Sequence, residues 1–195
     1  ADGGVTFTGT FTPTVGADDP TNIISVGASY TDIGGNLGAA ADSFNFNIDP
    51  SQPTLAITLD DTVLNANETA AVTFTFSEAV SGFDNADITL SNGALSTVVA
   101  SADRTTFTGT FTPDADTDDP TNIISVGDGY IDVAGNAGTA ADSANFVMDM
   151  VAPTLTIALD DSALLPGETA DVTSTFSEAV TGFDNSDIAV PNGAL

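Results

Sequence analysis

Residues 70–88 read AAVTFTFSEAVSGFDNADI, and residues 170–188 repeat the pattern as ADVTSTFSEAVTGFDNSDI. Within 70–76, apolar side chains alternate with threonines, which is the period of two expected of a β-strand with one buried face. Similar alternating segments recur along the chain and are separated by residues that favour turns. The pattern therefore predicts an all-β protein.

The loop that follows this strand carries three acidic residues, Glu78, Asp84 and Asp87, with Gly82 where the backbone must turn. Carboxylates held close together repel each other unless a positive charge lies between them. The whole chain has one Lys or Arg and no His. The sequence therefore predicts a bound cation. Calcium prefers oxygen ligands, whereas zinc is disfavoured without Cys or His.

The composition excludes several classes of protein. The 195 residues include 28 acidic side chains and carry a formal charge of −27, yet 42% are hydrophobic, which is enough for a packed core. Nucleic acids and anionic membrane surfaces are excluded as partners because almost nothing could neutralise phosphate. Cysteine is absent, so disulfides do not stabilise the fold. No apolar run is long enough to predict membrane insertion in this segment.

An internal repeat of 100 residues organises the chain. Residues 1–52 match residues 101–152 at 30 of 52 positions, and residues 53–95 match residues 153–195 at 29 of 43. We therefore predict the C-terminal part of one module at 1–52, a complete module at 53–152 and the N-terminal part of a third at 153–195. This division indicates a piece of a longer tandem array.

The complete module shows no segment with a helical period. Seven short strands in one hundred residues predict an antiparallel Greek-key sandwich of immunoglobulin type. The predicted strands are 54–58, 70–76, 87–90, 95–100, 105–112, 122–126 and 143–148.

Three stretches carry a resemblance to a known family. They are GETADVTSTFSEAVTGFDNSDI at Gly167–Ile188, its counterpart ending at Ile88, and the DxxGNxG pattern at Asp32 and Asp132. The module resembles the bacterial immunoglobulin-like repeats of giant secreted adhesins, including RTX adhesins and biofilm-associated proteins. The resemblance implies extender modules that bind calcium at their junctions and hold a distal ligand-binding domain away from the cell.

The strand order predicts which acidic loops meet, because successive loops of such a sandwich alternate between its two ends. The loops after the second and sixth strands share one end, and in a head-to-tail array this end abuts the last strand of the preceding module. Asp18, Asp19 and Asp49 should then face Glu78, Asp84 and Asp87. Across residues 150–153, Asp118, Asp119 and Asp149 should likewise face Glu178, Asp184 and Asp187.

Further acidic loops complete the set of candidate calcium ligands. These are the first-strand loop, the run near residue 116 and the DxxGN stretch: Asp60, Asp61, Glu68, Asp116, Asp132, Asn136, Asp160, Asp161 and Glu168. Asp and Asn also cap turns without any metal. For the DxxGN stretch, a turn held by Asp132 and a metal loop are both consistent with the sequence.

The function predicted is a structural extender of a secreted, cell-surface bacterial adhesin, stiffened by calcium and contacting neighbouring modules of the same protein. Without His or Cys, and with acidic residues that recur at the repeat period, catalysis is not expected. Two alternatives remain. One is a ligand-binding Ig-like module. The other is an extracellular fibre or surface-layer subunit in which half-modules of different chains complete each other by head-to-tail self-association.

Overall fold

The computed structural model describes residues 4–193 and divides the chain into two compact units, Ala1–Asp149 and Met150–Leu195. Both consist of short strands joined by turns. Strands of the first unit are β1 Asp19–Asn22, β2 Ser25–Val26, β3 Ala41–Asp42, β4 Phe46–Ile48, β5 Leu55–Leu59, β6 Val63–Asn65, β7 Ala70–Phe76, β8 Val80–Ser81, β9 Ile88–Thr89, β10 Gly93–Leu95, β11 Val99–Ala100, β12 Thr106–Pro113, β13 Asp119–Asn122, β14 Ser125–Val126, β15 Ile131–Asp132, β16 Ala141–Asp142 and β17 Phe146–Asp149. The second unit contains β18 Leu155–Leu159 and β19 Val172–Phe176.

The complete module is built on one large antiparallel sheet. Its strand order is β10-β12-β7-β5, with β11 also pairing with β12. Smaller sheets, β13-β17-β6, β16-β14-β9 and β15-β8, supply the other pairings. All of these pairings are antiparallel except β6 with β17. The prediction of an all-β sandwich is confirmed.

Aromatic side chains fill the core between the large sheet and the smaller ones. Phe76 packs against Phe83, Phe107 and Tyr130, with ring centroids 5.1, 5.6 and 4.9 Å away. The Tyr130 ring is fully buried, and its hydroxyl donates a 2.7 Å hydrogen bond to the carbonyl of Thr139. Edge-to-face contacts of this kind suit the charge distribution of aromatic rings, so the cluster fixes how the sheets pack.

Several details of the strand pattern differ from the sequence prediction. The predicted strand at 122–126 falls on two strands, β13 and β14. The predicted strand at 95–100 is also two strands, β10 and β11. The side chain of Asn85 separates them by accepting the N–H of Val98 and donating to the carbonyl of Ser96. Strands β6, β8, β15 and β16 were not expected, since two or three residues are too few to show a period. One turn of 3-10 helix at Asn85–Asp87, repeated at Asn185–Asp187, corrects the expectation of no helix.

The segment before Pro53 repeats strand pairings of the later part of residues 53–152. Strand β1 pairs with β4, and β2 with β3, in the registers of β13 with β17 and β14 with β16 in the complete module. None of the helices among residues 4–193 is long and apolar enough to cross a membrane.

Candidate functional site

Three carboxylates converge where the first segment meets the complete module. Asp49 directly follows β4, Glu78 lies in the loop after β7, and Asp132 is the last residue of β15. One oxygen from each side chain lies within 4.8 Å of the other two. The pairing of Asp132 with Val80 brings the β15 loop beside the loop that holds Glu78. Within residues 4–193 these form the one acidic group of three or more with this spacing.

The loop that follows Asp132 is closed by its own carboxylate. Oδ1 accepts the N–H of Gly135 at 2.6 Å and of Asn136 at 2.9 Å, and Oδ2 accepts the Asn136 amide at 2.7 Å. Gly135 has a φ of +95°, which favours glycine, so the loop geometry depends on this residue type. The turn held by Asp132 is therefore present, and it leaves one lone-pair direction on Oδ2 for another partner.

A hydrogen bond already joins the two segments at this place. The side-chain amide of Asn136 donates to the backbone carbonyl of Asp49 at 2.9 Å. The carboxylate of Asp49 accepts the N–H of Ser51 at 3.1 Å. A second link runs from the N–H of Thr139 to the carbonyl of Pro53 at 3.3 Å. The DxxGN loop thus contacts the end of the preceding segment directly.

The electrostatics of the group are unfavourable for three bare carboxylates. Burial raises the pKa of Glu78, and the charges of Asp49, Asp132 and Asp18 raise it further. Burial also acts to raise the pKa of Asp132, but the hydrogen bonds from Asn136 and Gly135 outweigh it and hold that pKa below its ordinary value. Among residues 4–193, no hydrogen bond reaches the Glu78 carboxylate. Glu78 is thus the carboxylate with most to gain from a cation.

The donor set suits calcium. Three carboxylates can provide up to six oxygens, and calcium takes six to eight, often with some from water. Asp132 offers a metal the one free lone-pair direction on Oδ2. Within the described part of the chain, the carboxylate of Asp49 accepts a single hydrogen bond and that of Glu78 accepts none, so most lone pairs of Asp49 and all those of Glu78 remain available to a metal. Magnesium would demand near-ideal octahedral geometry from these loops, which is a poorer match.

Asp84 and Asp87, predicted to join Glu78, are used in a helix cap. The carboxylate of Asp84 accepts the N–H of Ala86, and that of Asp87 accepts the N–H of Asp84, which closes a capping box around the 3-10 turn. Asp184 and Asp187 form the same box one repeat later. The structure does not bring either pair into a group of three acidic ligands.

Most other candidate ligands also accept backbone N–H groups, either in their own loops or, for Asp60 and Asp160, eleven positions later in the chain. The pairs are Asp19 with Thr21, Asp60 with Ala71, Asp61 with Val63, Glu68 with Asn65, Asp119 with Thr121, Asp160 with Asp171, Asp161 with Ala163 and Glu168 with Leu165. Asp116 has a φ of +57° in the turn before β13, and Asp149 ends β17. Asp18, Asp118 and Glu178 are exposed. The proposed contact of Asp118, Asp119 and Asp149 with the following module stays a prediction.

The sequence did not predict that Asp132 joins Asp49 and Glu78 in one group. The sequence did indicate that the two loops lie near each other, because the predicted strand order places the DxxGN loop and the Glu78 loop at the same end of the sandwich. It did not predict the short β8–β15 pairing, which places Asp132 opposite Val80.

Comparison with known proteins agrees with this architecture. A search of curated proteins gives no significant match. A model of the bacterial Ig-like domain matches residues 1–48, 49–148 and 149–195, which together span the chain. The predicted immunoglobulin-like class is thereby confirmed, and the chain belongs to the bacterial Ig-like domain family.

Proposed function

We propose that this chain is an extender region of a secreted or cell-surface bacterial adhesin, in which calcium stiffens the joints between modules. The observation that carries the proposal is the convergence of Asp49, Glu78 and Asp132 at the start of the complete module. Asp49 directly follows β4, which pairs with β1 of the first segment, whereas Glu78 and Asp132 lie in loops and strands of residues 53–152. A ligand held by all three would link the segments.

The repeat supports a mechanical role. The same sandwich sequence recurs along the chain, and the acidic residues of the joint recur with it. A tandem series of domains spans distance in proportion to their number, provided that the joints resist bending. Membership of the bacterial Ig-like family is consistent with an extender of a surface protein, in which calcium would hold the joint.

Calcium would act on the joint in two ways. It would remove the repulsion that raises the pKa of Glu78. It would also bond the Asp49 carboxylate to the loops that hold Glu78 and Asp132, adding metal bonds to the hydrogen bond that Asn136 already donates to the Asp49 carbonyl. Extracellular modules bind calcium with dissociation constants of roughly 10⁻⁴–10⁻³ M. Calcium outside cells is abundant enough to occupy sites of this affinity.

Calcium titration calorimetry tests the site. The wild-type chain is expected to bind with a dissociation constant of roughly 10⁻⁴–10⁻³ M. The double variant Asp49→Asn with Glu78→Gln should lose this site, because neutral amides replace two of its three charged ligands. A matched control is Asp60→Asn with Glu68→Gln. It removes the same charge from carboxylates that accept backbone N–H groups elsewhere in the module.

Retention of calcium binding by the control and its loss in the double variant would support the site. Equal binding by the double variant and the wild type would place calcium elsewhere and overturn the assignment. Absence of binding by the wild type would overturn it as well.

A further inference from the structure

An asparagine followed by a glycine, Asn92–Gly93, lies where the turn after β9 enters β10. Asn92 has a φ of +60°, a backbone conformation that asparagine and glycine tolerate better than most residues. Gly93 is required by close packing, because a Cβ there would meet the Phe111 ring and the carbonyl of Thr112 at 2.6 Å. The fold therefore constrains both residues of the dipeptide.

The side-chain amide of Asn92 joins this turn to β13. It donates one hydrogen bond to Oδ2 of Asp119 at 2.8 Å and another to Oδ1 of Asn122 at 3.0 Å. Asn122 is 1% exposed, and its own amide donates to the carbonyls of Asp119 and Phe146 at 2.8 and 3.4 Å. We call this contact between the β9–β10 turn and β13 the Asn92 seam. Both acceptors are oxygens without a proton, so position 92 must supply the donors.

Asparagine before glycine is chemically reactive, because the glycine nitrogen can attack the side-chain amide with no Cβ in its way. The nitrogen of Gly93 would form a bond to Cγ of Asn92, and the bond from Cγ to Nδ2 would break. The amide nitrogen takes up the proton released by Gly93 and leaves as ammonia. Water then opens the succinimide ring to give aspartate, or isoaspartate with a backbone one carbon longer. Water is the one co-reactant that the conversion consumes.

The closed seam opposes this reaction. The nitrogen that must leave is Nδ2 of Asn92, which donates both hydrogen bonds to β13. Its departure would break both of them, and any rotation of the side chain would weaken them. Asn92 is also half-buried, and its carbonyl accepts the N–H of Asp114 at 2.9 Å, which holds the backbone next to Gly93. We therefore expect the reaction to require a local opening of the seam.

The product would not fit the closed seam. Aspartate at position 92 would place a carboxylate against that of Asp119, and like charges repel strongly in a half-buried place. It would also present Asn122 with an acceptor where a donor is needed. Isoaspartate would in addition lengthen the backbone beside Gly93, where a Cβ would already meet Phe111. The reaction would thus convert a transient opening into a lasting one.

We propose that Asn92 is a site of spontaneous deamidation that reacts when the Asn92 seam opens, and that the product keeps the seam from closing again. The dipeptide recurs one repeat later as Asn192–Gly193, and the two acceptors recur as Asp19 and Asn22. Each module of a tandem array would then carry such a site. A module that had opened would keep a permanent chemical mark.

Deamidation kinetics test the proposal. The wild-type chain is incubated at slightly alkaline pH, folded in buffer and unfolded in guanidinium chloride, with chelator in both. Trypsin separates this site from Asn192 for mass spectrometry, because Arg104 is the one Lys or Arg of the chain. Asn92 should react in the unfolded chain and about tenfold or more slowly in the folded one, since only opened molecules react. Equal rates in both states, or no reaction in the unfolded chain, would overturn the proposal.

Asp119→Ala should raise the rate in the folded protein toward that of the unfolded chain, because it removes one of the two acceptors that hold Nδ2 of Asn92. Asp103→Ala is the matched control. It removes the same charge from a carboxylate that accepts Ser101 and Thr105 in another turn of the module, so the rate at Asn92 should not change. An equal rise in both variants, or no rise with Asp119→Ala, would show that the seam does not control the reaction.

Asn92→Asp imitates the product. Asn92→Gly removes the same two hydrogen bonds without adding a charge, and glycine also tolerates a positive φ. The aspartate variant should be the less stable of the two in urea denaturation. Exchanging the pair, as Asn92→Asp with Asp119→Asn, should recover part of the loss, because the new asparagine can donate to the new carboxylate. Equal stability of the Asn92→Asp and Asn92→Gly variants would contradict the idea that the product holds the seam open. With chelator present throughout, none of these results bears on calcium at Asp49.

Discussion

Replacing Phe76 by alanine is expected to lower the free energy of unfolding of the complete module by about 3–5 kcal/mol, the usual range for a buried Phe→Ala change. Phe76 contacts three other aromatic rings, those of Phe83, Phe107 and Tyr130. Its removal would leave a cavity among these three rings. Because native domains are stabilised by about 5–15 kcal/mol, this change would remove a large share of the total.

Phe176→Ala is the matched control, since it is the same change at the equivalent position of the second unit. Phe176 is half-buried and packs on Phe183 at 5.0 Å. It should leave the unfolding of the complete module unchanged. Urea denaturation followed by tyrosine fluorescence in a Tyr30→Phe background measures this directly, since Tyr130 is then the one remaining tyrosine. Equal effects of the two substitutions would mean that the aromatic cluster does not hold the module together.

Glu78→Gln is expected to change the stability of the first unit in opposite directions with and without calcium. In chelator the variant should be more stable than the wild type, because the pKa of Glu78 is raised by burial and by Asp49, Asp132 and Asp18. A raised pKa means that ionisation of this group costs folding free energy. In calcium the variant should be the less stable protein, and its calcium affinity should fall by about tenfold or more as a charged ligand is lost.

The same pKa shift gives a pH dependence. In chelator, Glu78 destabilises the wild type above its raised pKa. This penalty should disappear as the pH falls through that pKa toward the ordinary glutamate value. The Glu78→Gln variant should not show this pH-dependent change in stability. At still lower pH, Asp132 should lose its contribution, because its pKa is held below the ordinary value and the hydrogen bonds from Asn136 favour the charged form.

Thermal unfolding tests whether the effect of Glu78→Gln on stability changes sign between calcium and chelator. The wild type, Glu78→Gln and Glu68→Gln are each measured in both conditions. Glu68 accepts the backbone N–H of Asn65, and a glutamine can still accept it, so this control should show no change of sign. If Glu78→Gln destabilised the protein equally in both conditions, Glu78 would have a structural role unrelated to calcium.

The strand pattern was largely predictable from the sequence, because alternation of apolar and polar residues reports directly which face is buried. From Ala70 to Phe76 the alternate residues 70, 72, 74 and 76 are buried, and those between are exposed or half-buried. The aromatic residues at these positions form the core. The parallel strand β6 was missed because its three residues owe their conformation to β17, some eighty positions later. The residues around β6 do not indicate a pairing with so distant a strand.

The acidic residues were harder to interpret, because aspartate caps turns and binds calcium with the same oxygens. Asp84 and Asp87 lie in one loop with Glu78, yet the capping box uses both carboxylates for backbone N–H groups. Sequence spacing could not distinguish a cap from a ligand. The group at the joint became visible only when the β8–β15 pairing placed Asp132 beside Glu78 and the preceding segment supplied Asp49.

Stiffening of the joint by calcium at Asp49, Glu78 and Asp132 can be measured as a distance distribution. The chain has no native cysteine, so Ala28→Cys in the first segment and Ala66→Cys in the complete module allow two spin labels at exposed positions. Double electron–electron resonance would be recorded in calcium, in magnesium and in chelator at one ionic strength. A narrow distribution in calcium that broadens in chelator and in magnesium is the predicted result. Distributions of equal width in all three conditions would contradict it.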